Sequence, residues 1–163
     1  MKITFTHYTN NNELRASTRS FEQFVDKVKT DSKNSAVARF REYVPMLDSD
    51  YQYYKGMKTW THVMPAAEFT KDGNGNLLFK ATTGLLLLSF ANITDADGIE
   101  GVKRSVAFLP STFCVMKSAD GLGVHIIVRY TDESGSLPSD EAAAEQLYKV
   151  AFADAAPVYK SVV

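Results

Sequence analysis

Ser118-Ala119-Asp120-Gly121-Leu122-Gly123-Val124-His125 is the stretch whose residue types and spacing could do chemistry. Two glycines one residue apart let backbone N–H groups approach a phosphate closely. Ser118 adds a hydroxyl donor. His125 opens a strand pattern, and Arg129 follows four residues on, on the same strand face, about 13 Å away at strand spacing. Together these groups could hold a triphosphate. The competing interpretation is a Gly-x-Gly hairpin between two core strands, carrying one structural histidine.

Asp95 and Asp97 are spaced as a pair of cation-binding carboxylates, and equally as the cap and first-turn acid of a helix. His7 and His62 have no partners in the sequence and fit a sheet surface better than a metal. Cys114, the one cysteine, excludes an intrachain disulfide. Its apolar neighbours make it a buried small hydrophobe rather than a reactive thiol. Tyr51, Tyr53 and Tyr54 beside Lys55 and Lys58 form either a platform for bases or a half-buried tyrosine cluster. There is no nucleophile elbow, Walker loop, zinc-type spacing or dinucleotide fingerprint.

These residues need elements to position them. Leu85–Phe90 and Thr112–Met116 are apolar on both faces, which predicts two strands central in a sheet. Val124, Ile126, Val128 and Tyr130 alternate with His125, Ile127 and Arg129 as a third strand. Between the first two, Thr94 or Asp95 caps a helix that turns Ile99, Val102 and Val106 inward. Upstream, Lys2–His7 alternates as a strand. Ser20 and Gln23 form a capping box for a helix carrying Phe21, Phe24, Val25 and Val28. A second helix is expected over Asn34–Tyr43. Trp60–Phe69 is strand-like, with Pro65 marking an edge or a bulge. Lys71–Asn76 is a turn leading to a short strand over Leu77–Lys80. A last helix starts at Ser139, burying Ala144, Leu147, Tyr148, Ala151 and Phe152, and Val158–Val163 reads as a final strand. The fold class expected is α+β, a mixed and mainly antiparallel sheet with flanking helices.

The 163 residues fit one domain spanning 1–163. With 45% hydrophobic and 23% charged residues and a net charge of −1, no global field draws the chain to nucleic acid or an anionic membrane. A local basic patch is compatible with these totals. The start lacks a signal peptide's apolar centre, and no apolar run approaches the roughly 20 residues of a membrane helix. The expected location is the cytoplasm, without membrane association.

Gly84-Leu85-Leu86-Leu87-Leu88-Ser89-Phe90-Ala91-Asn92-Ile93-Thr94-Asp95 resembles the "GLI-x-LD-x-DN" strand of the VirE N-terminal domain family. These are bacterial proteins, often from mobile elements, related to the archaeo-eukaryotic primases. Met116–Val128 resembles that family's "SPSG-x-GLK-x-xV" turn and equally the Ser-x-His strand of primases, whose histidine contacts the incoming nucleotide. Trp60–Phe69, Met1–Phe5 and the helix with Phe24 and Val25 fit more faintly. The resemblance implies a primase-like, RRM-like core. It also implies two aspartates flanking one residue at the end of the central strand, where this chain has Ser89 and Ala91. Neither holds a divalent cation as a carboxylate does, and two-metal phosphoryl transfer needs those acids. A third acid expected after the last helix has no counterpart.

Three functions follow as expectations. The first is a non-catalytic primase-like domain binding nucleotide or single-stranded nucleic acid through Ser118, Gly121, Gly123, His125 and Arg129, in a replication or mobile-element setting. The second is an active nucleotidyl transferase using Asp95 and Asp97, the one reading that brings in Mg²⁺ or Mn²⁺. The third is a structural or protein-interaction domain without a nucleotide site, in which the Gly121–Gly123 turn packs against its own chain.

Overall fold

Leu85 and Leu86 point to opposite faces of one strand, yet both are fully buried, so that strand is covered on both sides. The structure is a computed structural model that describes residues 4–9, 15–30, 36–46, 62–93 and 95–163. The tyrosine–lysine cluster Tyr51–Lys58, Trp60 and Thr94 lie outside the described residues.

Strand β1 (Thr4–Thr9) pairs antiparallel with β2 (Arg15–Ser20) on one side and β3 (His62–Met64) on the other. Helix α1 (Phe21–Lys29) starts at the expected capping box: Gln23 N–H donates to Ser20 Oγ at 3.3 Å, and Ser20 N–H to Gln23 Oε1 at 3.1 Å. Helix α2 (Ala36–Tyr43) is followed by a 3-10 turn, Val44–Met46. The Trp60–Phe69 pattern is split by the buried Pro65 into β3 and β4 (Ala67–Lys71). β4 forms a hairpin with β5 (Leu77–Thr82), whose turn is closed by Asp72 Oδ1 accepting from the N–H groups of Asn74 and Asn76, each at 2.8 Å.

The third sheet carries the candidate site. It consists of β6 (Leu85–Ala91), β7 (Thr112–Lys117) and β8 (Gly123–Arg129), in the order β6-β8-β7. β8 runs antiparallel to both neighbours, so β6 and β7 are parallel to each other. Helix α3 (Ala96–Ala107) links them, giving a split β-α-β unit. Helix α4 (Glu141–Lys160) follows β8, capped by Asp140.

One face of this sheet packs Leu86, Leu88, Val124, Ile126 and Val128 against Ile99 and Val106 of α3 and Tyr159 of α4. The other packs Leu85 and Ile127 against Phe21 of α1, with Phe24, Val25, Phe113 and Met116 around them. The α+β class therefore holds, with four α-helices and three small antiparallel sheets among the described residues. No helix among them is long and apolar enough to cross a membrane.

Several expectations are corrected. The middle strand is β8; β6 and β7 flank it among the described residues. Apolar residues on both faces report coverage by helices above and below, not position in the hydrogen-bonded order. Val158–Val163 is not a strand: α4 runs to Lys160 with Pro157 inside it. Tyr159 anchors that last turn, only 1% exposed and hydrogen-bonded to Ser111 and Thr112. Phe152, expected inside, is 41% exposed. Strand β2 was not anticipated, because Arg15-Ala16-Ser17-Thr18-Arg19-Ser20 has no apolar alternation; its partner β1 supplies the reason it is extended.

Candidate functional site

The turn between β7 and β8 is closed from within. Ser118 N–H donates to Gly123 O at 2.8 Å, and Gly121 N–H to Ser118 O at 3.0 Å. Gly121 has φ +82°, the left-handed region that favours glycine. The Asp120 carboxylate accepts the Ser118 hydroxyl and, at 2.9 Å, the Leu122 N–H. The hydroxyl of Ser118 and the N–H groups of Gly121 and Leu122 thus already have partners, and a carboxylate occupies the place a bound anion would take. Gly123 serves close approach instead: a Cβ there would lie 2.0 Å from Phe90 O.

His125 stands two residues into β8. It pairs with Ser89 of β6 on one side and Met116 of β7 on the other, while Ala91 pairs with Gly123. Directly opposed residues share a face, so Ser89, Ala91, Gly123, His125 and Met116 lie together. The Ser89 Oγ to His125 Nδ1 distance is 2.9 Å. His125 is half-buried; burial holds its pKa below the ordinary 6.5, and the nearby negative charge of Asp120 opposes that shift. The ring is therefore mainly neutral at pH 7. With the Ser89 hydroxyl donating to Nδ1, Nε2–H is a donor; with Nδ1–H donating to Ser89, Nε2 is an acceptor.

The structure does not bring Arg129 to this group. Between it and His125 on the strand face stands Ile127, buried against Phe21. Arg129 is exposed at the far end, its guanidinium carbon 4.1 Å from the Phe113 ring centroid, a cation–π contact. A triphosphate spanning both residues would have to displace that core.

A cation absent from the sequence reading is present at the turn. Arg41 of α2 donates from Nη2 to Ser118 O at 2.9 Å. Its Cγ and Cδ would lie 3.4 and 3.5 Å from a Cβ on Gly121, and the Lys117 Cε 3.2 Å from it. Nothing local in the sequence marks Arg41, since the contact spans 77 positions; its sole signal is adjacency to Phe40, which is buried.

Asp95 is the N-cap of α3, its carboxylate accepting from Gly98 N–H, and Asp97 is an exposed first-turn acid. Ser89 offers a hydroxyl engaged with His125 and Ala91 a methyl, a pair that does not fit a divalent cation. Among the described residues no three of His, Cys, Asp and Glu come together. His7 lies in β1, and His62 opens the adjacent β3 opposite Tyr8. Cys114 is half-buried and its desolvated thiol has a raised pKa, in keeping with a packing role. Along the outer edge of β6 runs an open groove of about 490 Å³, lined by Leu88, Ser89, Phe90, Phe152, Pro157 and Lys160 among others.

A protein-family model described as "BT4734-like, N-terminal domain" matches residues 56–163. That match takes in β3 to α4, and so Ser89, Ala91 and the Ser118–His125 turn, but not Arg41. No curated protein and no solved structure matches the chain.

Proposed function

We propose, from the premise that this chain belongs to the BT4734-like N-terminal domain family, that it is a non-catalytic, primase-like domain binding nucleotide or single-stranded nucleic acid in a replication or mobile-element setting. The observation that carries the reading is the Ser89–His125 contact at 2.9 Å. It sits where the VirE-type and primase resemblance calls for a metal-binding acid on one strand and a nucleotide-contacting histidine on the other. Here a serine hydroxyl replaces the acid and orients the histidine. A neutral imidazole so held offers one directed hydrogen bond to a phosphate oxygen or a sugar hydroxyl. The groove along β6, with Phe152 in its wall, lies on the α4 side of the sheet, the face opposite His125, so a base stacked there would reach the imidazole only around the β6 edge.

Metal-dependent nucleotidyl transfer through Asp95 and Asp97 has less support, because the Asp95 carboxylate is occupied in capping α3. A structural or protein-interaction role is favoured by one observation, the internal closure of the turn by Asp120. Fluorescence anisotropy with labelled oligo-dT, and with ATP as competitor, at low salt separates the two. Binding that weakens in both His125→Ala and Ser89→Ala is expected for the nucleotide reading. No binding by the wild-type protein at low salt would leave the interaction role standing. Low salt is essential, since phosphate contacts weaken steeply as salt rises.

A further inference from the structure

We infer that Arg41, delivered by α2 from outside the family-matched segment, is the residue that takes a ligand phosphate at the Ser118–Gly123 turn, with Lys117 beside it. This rests on the nucleotide-binding reading above and assigns that site its cation. The Ser118 hydroxyl and the N–H groups of Gly121 and Leu122 are already bonded within the turn and are not offered to a phosphate arriving there, which leaves side chains to supply the opposing charge. Arg129 is on the far side of the Ile127–Phe21 core. Among the described residues, Arg41 and Lys117 are cations whose stems lie against the turn.

Arg41 is held for such a role. The Nη2 bond to Ser118 O at 2.9 Å fixes one arm of the guanidinium. Its aliphatic stem lies against Gly121, where the missing Cβ leaves the room it needs. Nε is shielded from solvent and has no hydrogen-bond partner among the described residues. A buried donor left unmade is costly, so the guanidinium gains by any small shift that opens Nε to a phosphate oxygen, and its planar fork suits that partner. Asp120 opposes this by its charge, so the site would bind a phosphate weakly and in a salt-dependent manner. That suits a module that tracks a nucleic-acid backbone better than one that holds a nucleotide tightly.

The test uses the full chain and a fluorescein-labelled oligo-dT, with affinity measured across a salt series. Arg41→Gln is expected to bind about tenfold more weakly and to flatten the dependence of log Kd on log salt by roughly 0.7, one phosphate's share on a single strand. Arg41→Lys, which keeps the charge and loses the fork, is expected to keep the slope and recover part of the affinity. In the wild-type protein, inorganic pyrophosphate is expected to protect Arg41 from phenylglyoxal, read by mass spectrometry; this arm stands even if Arg41→Gln fails to fold. Wild-type binding with an unchanged slope in Arg41→Gln, or equal modification of Arg41 with and without pyrophosphate, would overturn the assignment alone. No wild-type binding at low salt would overturn the nucleotide reading and this assignment with it.

Discussion

Ser89 and His125 meet across the β6–β8 pair at 2.9 Å, at the end of a sheet face that is otherwise packed against α1. The placement gives a pH dependence. Burial outweighs the charge of Asp120 and lowers the His125 pKa below 6.5 in the folded state. As pH falls, the unfolded chain takes up this proton first. The contribution of His125 to stability is therefore flat above about pH 6.5 and declines below it toward the lower folded-state pKa. Urea midpoints measured at several pH values should show that decline in the wild-type protein and a shallower one in His125→Gln. Equal slopes in the two proteins would contradict the placement.

Asp120 sits in the turn as a built-in anion, bonded to the Ser118 hydroxyl and the Leu122 N–H. Both bonds need only an acceptor oxygen, which asparagine supplies. Asp120→Asn keeps both of these bonds and removes a negative charge from the turn beside Lys117 and Arg41. If phosphate binds there, affinity for oligo-dT should rise by about fivefold or more, from roughly 1 kcal/mol of relieved repulsion. Unchanged affinity, with a melting temperature equal to wild type, would place the ligand elsewhere.

The sheet and its two cores are legible in the sequence because their signals are local. Leu85–Phe90 and Val124–Val128 declare coverage on both faces, and Ser20 with Gln23 declares a helix start within four residues. The site is legible only in part. Ser89 opposite His125 depends on register, which a one-residue slip would reverse, and Arg41 on Ser118 depends on where α2 docks. The end of α4 illustrates the opposite failure. Val158 and Val162 look like strand residues, but between them Tyr159 is buried and hydrogen-bonded to Thr112 in the last turn of a helix, a contact 47 positions away.

Gly123 is where β6 and β8 come too close for a side chain. A Cβ there would sit 2.0 Å from the Phe90 carbonyl oxygen, a backbone atom that cannot rotate away. Gly123→Ala should destabilise the protein by about 3 kcal/mol or more, read from denaturant midpoints. Gly101 in α3 is the control: nothing lies within 4 Å of an added Cβ, and Gly101→Ala should stabilise by roughly 0.5–1 kcal/mol. A mild effect at Gly123 would mean the two strands are not held at this separation.

Asp95 can be tested as a cap against its reading as a cation ligand. Its carboxylate accepts from Gly98 N–H at the start of α3. Asparagine caps nearly as well as aspartate, whereas alanine does not, at a cost of about 1 kcal/mol. Asp95→Ala should therefore lower the urea midpoint and Asp95→Asn should barely change it. A marked Mg²⁺-dependent stabilisation of the wild-type protein, absent from Asp95→Asn, would restore the ligand reading.

Tyr159 carries the hydrogen-bond chain that ties α4 to the rest of this sheet. Thr112 Oγ1 donates to Val106 O at 2.6 Å, so it must accept from Tyr159 Oη, 2.7 Å away. Tyr159 Oη in turn accepts from Ser111 Oγ at 3.0 Å. The chain thus runs from the start of β7 through α4 to the last turn of α3, and each bond polarises the next. Tyr159→Phe keeps the ring that fills the core and deletes the middle link. Thr112 loses the hydrogen bond it accepts from the phenol, and Ser111 loses the acceptor for its own hydroxyl proton. The expected loss is about 1–3 kcal/mol. Ser111→Ala should cost less, because Ser111 is exposed and water can serve the phenol in its place. A Tyr159→Phe variant as stable as wild type would show that ring packing alone holds the end of α4 against the sheet, and that the three-hydroxyl chain contributes nothing net.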